Sequence, residues 1–264
     1  MRIAAVGDLH CKKNSQGMFA PLFKSISACA DVVALCGDLT DYGTADEAHV
    51  LTKELAPILN LPVVAVLGNH DYESDNQEEV KRILAESGIT ILDGEAVEIN
   101  GVGFAGAKGF AGGFGKAMLG AWGEQTIKHF VQEALNESLK LEAALARLRT
   151  QDKVVLLHYA PIVGTVLGEP AEIYSFLGTS RLEEPINRHG ATIVFHGHAH
   201  SGSPHGQTSI GIPVHNVAHP LFKRRFENHP GFGLFEIGEN GTSNKQAEEP
   251  KALPAPPTVT PAVG

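Results

Sequence analysis

The sequence predicts an α/β fold with a mixed sheet, and three observations support this prediction. Short apolar runs recur along the chain and most are separated by helical segments, which is typical of a sheet with at least a parallel part. The runs are rich in Val, Ile and Leu and contain no polar residue, as expected of strands buried on both faces. Two turn pairs, Asp93-Gly94 and Asn100-Gly101, then divide one segment into short strands, which favours hairpins and an antiparallel part.

The elements follow one another in a regular order. The predicted strands are residues 3–6, 32–36, 63–67, 154–157 and 193–195. The predicted helices are residues 18–30, 44–60, 76–87 and 124–149. Thr44 and Glu47 form a capping-box pattern at the start of the second helix, and Ser74 and Gln77 form another before the third. Gly88 stands where the third helix would end.

The chain divides into one domain and a tail. A chain of 264 residues can bury one sizeable core, so residues 1–238 are predicted to be a single domain. Residues 239–264 contain five prolines and few large apolar side chains, and they are predicted to be disordered because they cannot bury enough surface. Residues 107–123 contain six glycines and precede the longest predicted helix. Residues 107–149 therefore include either a surface loop or a lid over an active site, since length and glycine content suit both.

Composition argues against nucleic acids and membranes as partners. The formal net charge of −9 argues against binding to nucleic acids or anionic membranes, because phosphate groups repel an acidic surface. No apolar stretch approaches the roughly 20 residues that a membrane span requires. The three cysteines are an odd number without a close-spaced pair, and no signal-peptide pattern is found. We therefore expect a cytoplasmic protein without a disulfide framework.

Polar side chains that can bind metals follow all five predicted strands. In open α/β sheets, ligands bind outside the carboxyl ends of the strands. Each of these residues alone is weak evidence, because an Asp after a strand is often a helix cap and a His is often an ordinary core or surface residue. Together they form an all-oxygen and nitrogen donor set, which suits Mn²⁺, Fe, Zn²⁺, Co²⁺ or Ni²⁺. Seven donors are too many for one tetrahedral ion with an open position, and they fit two ions that share a carboxylate. The seven are Asp8, His10, Asp38, Asn69, His158, His198 and His200.

The order of these blocks resembles a known family. The blocks are Asp8-x-His10, Gly37-Asp38, Gly68-Asn69-His70-Asp71, His158 and Gly197-His198-x-His200. Over nearly all of residues 1–220 they are similar, in type and order, to the five blocks of the calcineurin-like metallophosphoesterase superfamily. The resemblance implies a four-layer α-β-β-α sandwich with mixed sheets and a site for two metal ions at the carboxyl ends of the strands.

The resemblance also implies a role for each residue. The first metal ion would be held by Asp8, His10 and His200. The second would be held by Asn69, His158 and His198, with Asp38 bridging both. His70 would assist the leaving group and Asp71 would orient His70. The resemblance favours Mn²⁺, Fe or Zn²⁺ as the two ions.

The chain departs from the residue patterns of two branches of the superfamily. Protein Ser/Thr phosphatases of the superfamily carry an Asp-Arg-Gly run, whereas this chain has Asp41-Tyr42-Gly43, so the phosphate-clamping arginine at that place is absent. Residues 37–41 are similar to the bacterial branch that contains cyclic-nucleotide and glycerophosphodiester phosphodiesterases. That branch often has an arginine soon after Asn-His-Asp, whereas Tyr72 and Glu73 stand there in this chain.

The expected function is hydrolysis of a small-molecule phosphoester. Two cations would neutralise the phosphoester, and a metal-bridging hydroxide would attack phosphorus directly. A phosphodiester and a phosphomonoester both remain open as substrates. One alternative is a nuclease on the same scaffold, which the acidic charge disfavours. Another is a non-catalytic scaffold protein of the superfamily, which the complete set of ligand-type residues disfavours.

Overall fold

The computed structural model describes residues 1–225 and 229–238. Within these ranges the chain forms two β-sheets flanked by helices. The strands are β1 (Arg2–Val6), β2 (Val32–Cys36), β3 (Val63–Val66), β4 (Thr90–Ile91), β5 (Ala96–Ile99), β6 (Val102–Gly106), β7 (Lys153–Leu156), β8 (Ile193–His196), β9 (His205–Gln207), β10 (Pro213–Asn216) and β11 (Gly233–Glu236). The α-helices are α1 (Ala20–Ser27), α2 (Ala45–Glu54), α3 (Gln77–Glu86), α4 (Gln125–Arg147), α5 (Tyr174–Leu177), α6 (Glu183–His189) and α7 (His219–Arg225).

Both sheets are mixed, as the sequence predicts. The first has the order β11-β1-β2-β3-β4, in which β11 is antiparallel to β1 and the other neighbours are parallel. The second has the order β5-β6-β7-β8-β10-β9, in which the four inner strands are parallel and both edge strands are antiparallel. The carboxyl ends of the inner parallel strands in each sheet therefore lie at one edge of that sheet.

Apolar clusters divide the molecule into four layers. One cluster joins α1, α2 and α3 to the outer face of the first sheet and includes Phe23, Leu51 and Leu84. A second cluster, with Val64 and Phe104 among its members, fills the space between the sheets. A third joins α4 and α6 to the outer face of the second sheet. This arrangement confirms the α-β-β-α sandwich.

The two predicted capping boxes have different outcomes. At α2, the Glu47 N–H donates to Thr44 Oγ1 and the Glu47 carboxylate accepts the Thr44 N–H, as predicted. At α3, the helix begins after Asn76 without a side-chain cap. Ser74 does not cap this helix, because its hydroxyl donates to the Tyr42 carbonyl at 2.6 Å. A tertiary partner therefore replaces the local contact that the sequence pattern suggested.

The two predicted turn pairs also differ. Asn100 and Gly101 have φ angles of 50° and 83° and connect β5 to β6 as a two-residue hairpin, as predicted. The Asp93-Gly94 turn does not form a hairpin, because β4 and β5 belong to different sheets. This turn carries the chain from the first sheet to the second, next to Leu92, which is buried between them.

The glycine-rich segment, residues 107–123, has two unlike halves. Residues 107–113 are largely buried, and Gly113 forms a β-bridge with Thr179. Residues 115–123 are mostly exposed, and the Leu119 carbonyl accepts a hydrogen bond from the Arg181 guanidinium at 2.8 Å. The helix that follows, α4, lies within the predicted range 124–149.

The predicted tail, residues 239–264, lies outside the described residues. The last described strand, β11, pairs along β1, with Arg2 opposite Glu236. None of the described helices is both long and apolar enough to span a membrane.

Candidate metal centre

The seven predicted donors come together where five strands end. β1, β2 and β3 of the first sheet and β7 and β8 of the second deliver them. Main-chain hydrogen bonds join these ends, including Asp8 N–H to Gly37 O at 2.9 Å and Gly197 N–H to His158 O at 3.1 Å. His158 also bridges the two sheets, because its Nδ1 lies 3.0 Å from the Cys36 carbonyl oxygen.

The backbone at this edge adopts a conformation that L-residues rarely take. Asp8, His10, Asp38 and His198 have φ angles of 59°, 47°, 48° and 68°. Left-handed backbone at non-glycine residues is strained and is held only where surrounding contacts over-determine it. Here the His10 N–H donates to the Asp38 carbonyl at 2.9 Å, and neighbouring bonds of the same kind fix the loops.

One cluster of donors contains Asp8, His10 and His200. Their ligand-type atoms all lie within 4.8 Å of one another. Asp8 Oδ1 lies 2.9 Å from His200 Nε2 and accepts the His198 N–H at the same distance. These are the residues that the family resemblance assigns to a first metal ion.

A second cluster contains Asp38, His158 and His198, with Asn69 beside them. The ligand-type atoms of the first three lie within 4.8 Å of one another, and Asn69 Oδ1 is 2.9 Å from His158 Nε2. Because a carbonyl oxygen can only accept, the contact with Cys36 places a proton on His158 Nδ1, so Nε2, which faces Asn69 Oδ1 and Asp38 Oδ1, is the ring nitrogen that would bind a cation in exchange for its proton. His198 Nε2 contacts the Phe176 carbonyl at 3.2 Å, which in the same way leaves Nδ1 as the donor atom.

Asp38 lies between the clusters. Its Oδ1 is 3.3 Å from His158 Nε2, and its Oδ2 is 3.8 Å from His10 Nε2. The carboxylate also accepts the His70 N–H at 2.8 Å. Asp38 is therefore the carboxylate within reach of imidazoles from both clusters, which is the geometry that a bridging ligand needs.

The protonation equilibria show how strongly this site favours positive charge. Burial tends to raise the pKa of Asp38, but His158, His10 and the His70 N–H together outweigh burial and hold that pKa well below its usual range. Burial tends to lower the pKa of His158, but the Asp38 carboxylate outweighs it and raises the pKa to about 9. For His198, burial prevails and lowers the pKa to about 3. The two buried carboxylates, Asp8 and Asp38, thus favour a proton on a nearby imidazole. A metal cation bound at the centre would displace that proton.

The residues fit metal ions in a further respect. Both ring nitrogens of His10 are buried and have no hydrogen-bond partner among the described residues. The closest carboxylate oxygens are Asp41 Oδ1 at 3.5 Å from Nδ1 and Asp38 Oδ2 at 3.8 Å from Nε2. Buried polar atoms without partners are costly, and a cation between His10 and Asp38 would provide one. Gly68 leaves room beside this carboxylate, because a methyl group there would collide with Asp38 Oδ1.

His70 and Asp71 follow Asn69 but face different partners. His70 Nδ1 lies 2.8 Å from the Asp41 carbonyl, and its Nε2 is 4.0 Å from Asp38 Oδ2. Asp71, which was expected to orient His70, instead accepts hydrogen bonds from the N–H groups of Leu39, Thr40 and Gly68 and from the Thr40 hydroxyl. The 3₁₀ turn over His70–Tyr72 explains the difference, since it sends consecutive side chains in different directions.

Asp71 therefore joins the loop after β2 to the loop after β3. Burial and the repulsion of Asp38 raise its pKa to about 6, while its hydrogen-bond donors oppose that shift.

We expect Asp71→Asn to lower the free energy of unfolding by about 2–4 kcal/mol, because the new amide N–H₂ would face N–H donors in a buried site. Urea unfolding of the metal-free protein measures this change. Asp75→Asn, at an exposed residue with a φ of 53°, is the matched control and should change the value by less than about 0.5 kcal/mol. Equal effects of the two substitutions would contradict the assigned role.

Two contributors were not predicted. Asp41 supplies its carbonyl to His70 and its carboxylate to the surroundings of His10. For the carboxylate, its place three residues after Asp38 on the same loop was a usable signal, whereas the contact of the carbonyl had none. Phe176 contacts His198 through its backbone carbonyl, and no feature of the sequence signals that contact because every residue has a carbonyl.

Comparisons with known proteins bear on the family and the fold of the chain. Residues 1–202 match the family described as calcineurin-like phosphoesterase. No curated protein matches the sequence.

Several solved structures share the fold at low sequence identity. A phosphopantetheinyl hydrolase from Mycobacterium tuberculosis has a TM-score of 0.59 and 14% identity, covering 90% of this chain and 96% of that one. GAP50, the anchor in the inner membrane complex of Plasmodium, has a TM-score of 0.52 and 10% identity, covering 83% and 72%. A purple acid phosphatase from yellow lupin seeds has a TM-score of 0.50 and 15% identity, covering 76% and 38%. At these identities the likeness shows the fold alone.

Proposed function

The chain belongs to the calcineurin-like phosphoesterase family, and from that premise we propose that it is a hydrolase of small-molecule phosphoesters that depends on two metal ions. The observation that carries the proposal is the position of Asp38, whose carboxylate lies within reach of imidazoles from two separate donor clusters. A buried carboxylate shared in this way suits two cations held close together.

The proposed ligands divide between two sites. Asp8, His10 and His200 would hold one ion, and Asn69, His158 and His198 would hold the other, with Asp38 shared. When bound, the two ions would supply the positive charge that neutralises the phosphoester and activates water for attack. The donor set, which combines carboxylate and imidazole groups without a thiolate, suits Mn²⁺, Fe and Zn²⁺, the ions that the family resemblance favours.

His70 is proposed to move a proton at the leaving group. The Asp41 carbonyl accepts the Nδ1–H of His70, so Nε2 is the atom that can give a proton to the departing oxygen. The ring is about two-fifths exposed, which leaves it accessible to a substrate at the metal centre. Asp71 supports the reaction indirectly, because it holds the loops that carry Asp38 and His70.

The fold alone does not distinguish an enzyme from an anchor protein, since structures of both kinds share it. What favours catalysis in this chain is the complete set of donors together with His70 at the edge of that set. An interaction protein would need neither the strained backbone at Asp8 and Asp38 nor the buried imidazole of His10.

The proposal is tested by assaying Mn²⁺-loaded protein on a panel of phosphomonoesters, phosphodiesters, cyclic nucleotides and DNA. We expect turnover of small phosphoesters that a chelator abolishes and added Mn²⁺ restores. Hydrolysis of DNA in preference to the small esters would favour a nuclease. Failure to hydrolyse any member with both ions bound would contradict an enzymatic role.

We further propose that residues 114–123 form a lid over this centre. Within this segment, the Gly115 N–H donates to Ser180 Oγ and the Leu119 carbonyl accepts from Arg181, and these two partners follow the short helix α5, whose Phe176 carbonyl contacts His198. Bound inorganic phosphate, with Mn²⁺ present, should therefore slow amide hydrogen exchange in residues 114–123 by at least about tenfold. The internal control is the middle of α4, whose exchange should not change. Equal exchange with and without phosphate would favour a surface loop that takes no part in closure.

A further inference from the structure

Two exposed aromatic residues lie next to the functional histidines. The Phe176 side chain is 61% exposed, although the carbonyl of the same residue accepts a hydrogen bond from His198. Tyr42 is 57% exposed, and the carbonyl of the preceding residue, Asp41, accepts a hydrogen bond from His70. Single exposed apolar residues are ordinary on protein surfaces. These two differ because each is tied by main-chain contacts to a different imidazole of the proposed centre.

The backbone under each ring is fixed. The Tyr42 N–H donates to Glu47 Oε2 at 3.0 Å, and its carbonyl accepts from Ser74 Oγ at 2.6 Å. Phe176 lies in α5, where the neighbouring Leu177 is buried. Contact with a planar or apolar ligand group would remove such an exposed ring from water, which is favourable. The fixed backbone lowers the entropic cost of making that contact.

The two aromatic residues are tied to histidines of different groups. His70 belongs to the group formed with His10 and Asp38, whereas His198 belongs to the group formed with His158 and Asp38. Through Asp41, the Tyr42 backbone is therefore tied to His70, the proposed proton donor to the leaving group. Through its own carbonyl, Phe176 is tied to His198, a proposed ligand of the second metal ion.

We propose that the substrate is a phosphodiester whose two ester groups are planar or apolar, with Tyr42 contacting the leaving group and Phe176 contacting the retained group. This inference rests on the proposed function. It selects between the two substrate classes that the sequence left open, because a phosphomonoester has no second ester group for Phe176 to contact. Nucleosides and aryl groups are the chemical classes that offer such planar faces.

Three model esters separate the two contacts. All carry a p-nitrophenyl leaving group, and they differ in the retained group: bis(p-nitrophenyl) phosphate keeps an aryl group, methyl p-nitrophenyl phosphate keeps a methyl group, and p-nitrophenyl phosphate keeps none. Phe176→Ala should lower kcat/KM about tenfold on the first, which corresponds to about 1.4 kcal/mol, and less than about twofold on the other two. Tyr42→Ala should lower kcat/KM by a similar factor, about tenfold, on all three.

The controls separate a ring contact from a structural effect. Both substitutions keep the backbone carbonyls that hold His70 and His198, so bound Mn²⁺ per chain should stay at the wild-type value. Leu139→Ala, at a residue 59% exposed on α4, should leave kcat/KM on all three esters within about twofold.

Several outcomes would overturn the inference. One is a loss on Phe176→Ala that is equal for the three esters, and another is no loss for either aromatic substitution. Reduced metal content in the variants would show that the rings act on the histidines and not on the substrate. Failure of the proposed function is distinguishable, because the wild-type protein would then show no metal-dependent turnover of any of the three esters.

Discussion

Asp38→Asn should lower turnover on phosphoesters by on the order of 1000-fold and should weaken the binding of two metal ions instead of one. The reason is the shared position of this carboxylate, which faces His158 with one oxygen and His10 with the other. An amide keeps the shape of the side chain but removes its negative charge. One of the two clusters would then also face an N–H₂ group, which cannot bind a cation.

Metal analysis of the purified variant, together with titration of the metal-free protein with Mn²⁺, measures both effects. The matched control is Asp31→Asn, just before the opposite end of the same strand, where the carboxylate forms an exposed ion pair with Arg2. That variant should bind two ions and keep wild-type turnover. A finding of one ion per active chain, with turnover retained in Asp38→Asn, would contradict the two-metal proposal.

The parallel strands were predictable from the sequence because burial on both faces leaves a simple pattern. The run 32–36 coincides with β2, three other predicted strands differ from the observed ones by one residue at one end, and the run 154–157 is displaced by one residue from β7. Local sequence patterns predicted the structure correctly only where no residue distant in the chain offered an alternative hydrogen-bond partner. Thr44 caps its helix, whereas the Ser74 hydroxyl bonds to Tyr42, a partner 32 residues away in the chain. The prediction of a hairpin at Asp93-Gly94 was wrong because a turn sequence does not specify which sheet the next strand joins.

The candidate site was predictable to the extent that its donors are side chains at strand ends. Strand order brings those ends together, so residue type and position predicted that these seven side chains would lie close to one another. Contacts made by main-chain carbonyls, such as those of Cys36, Asp41 and Phe176, could not be predicted because they depend on how loops from different strands meet. The direction of Asp71 depends in the same way on the 3₁₀ turn that contains it.

The role of His70 can be separated experimentally from metal binding, because its imidazole is held by a carbonyl. The contact with the Asp41 carbonyl leaves Nε2 as the atom that can give a proton to a departing oxygen. Such a proton matters most when the departing oxygen is strongly basic. An alkoxide leaves poorly without it, whereas p-nitrophenolate leaves well on its own. General acid catalysis typically contributes about 10²–10⁴-fold.

His70→Ala should therefore lower kcat by about 10²–10⁴-fold on an alkyl phosphoester and by less than about tenfold on the matching p-nitrophenyl ester, with metal content unchanged. His49→Ala, at an exposed position on α2, is the matched histidine control and should leave both rates near the wild-type values. Equal losses on the two esters, with both ions retained, would mean that His70 positions or stabilises the phosphoryl group and gives no proton. Loss of metal from His70→Ala would mean that its Nε2, 4.0 Å from Asp38 Oδ2, takes part in holding an ion, and the separation between Asn69 as ligand and His70 as acid would then be wrong.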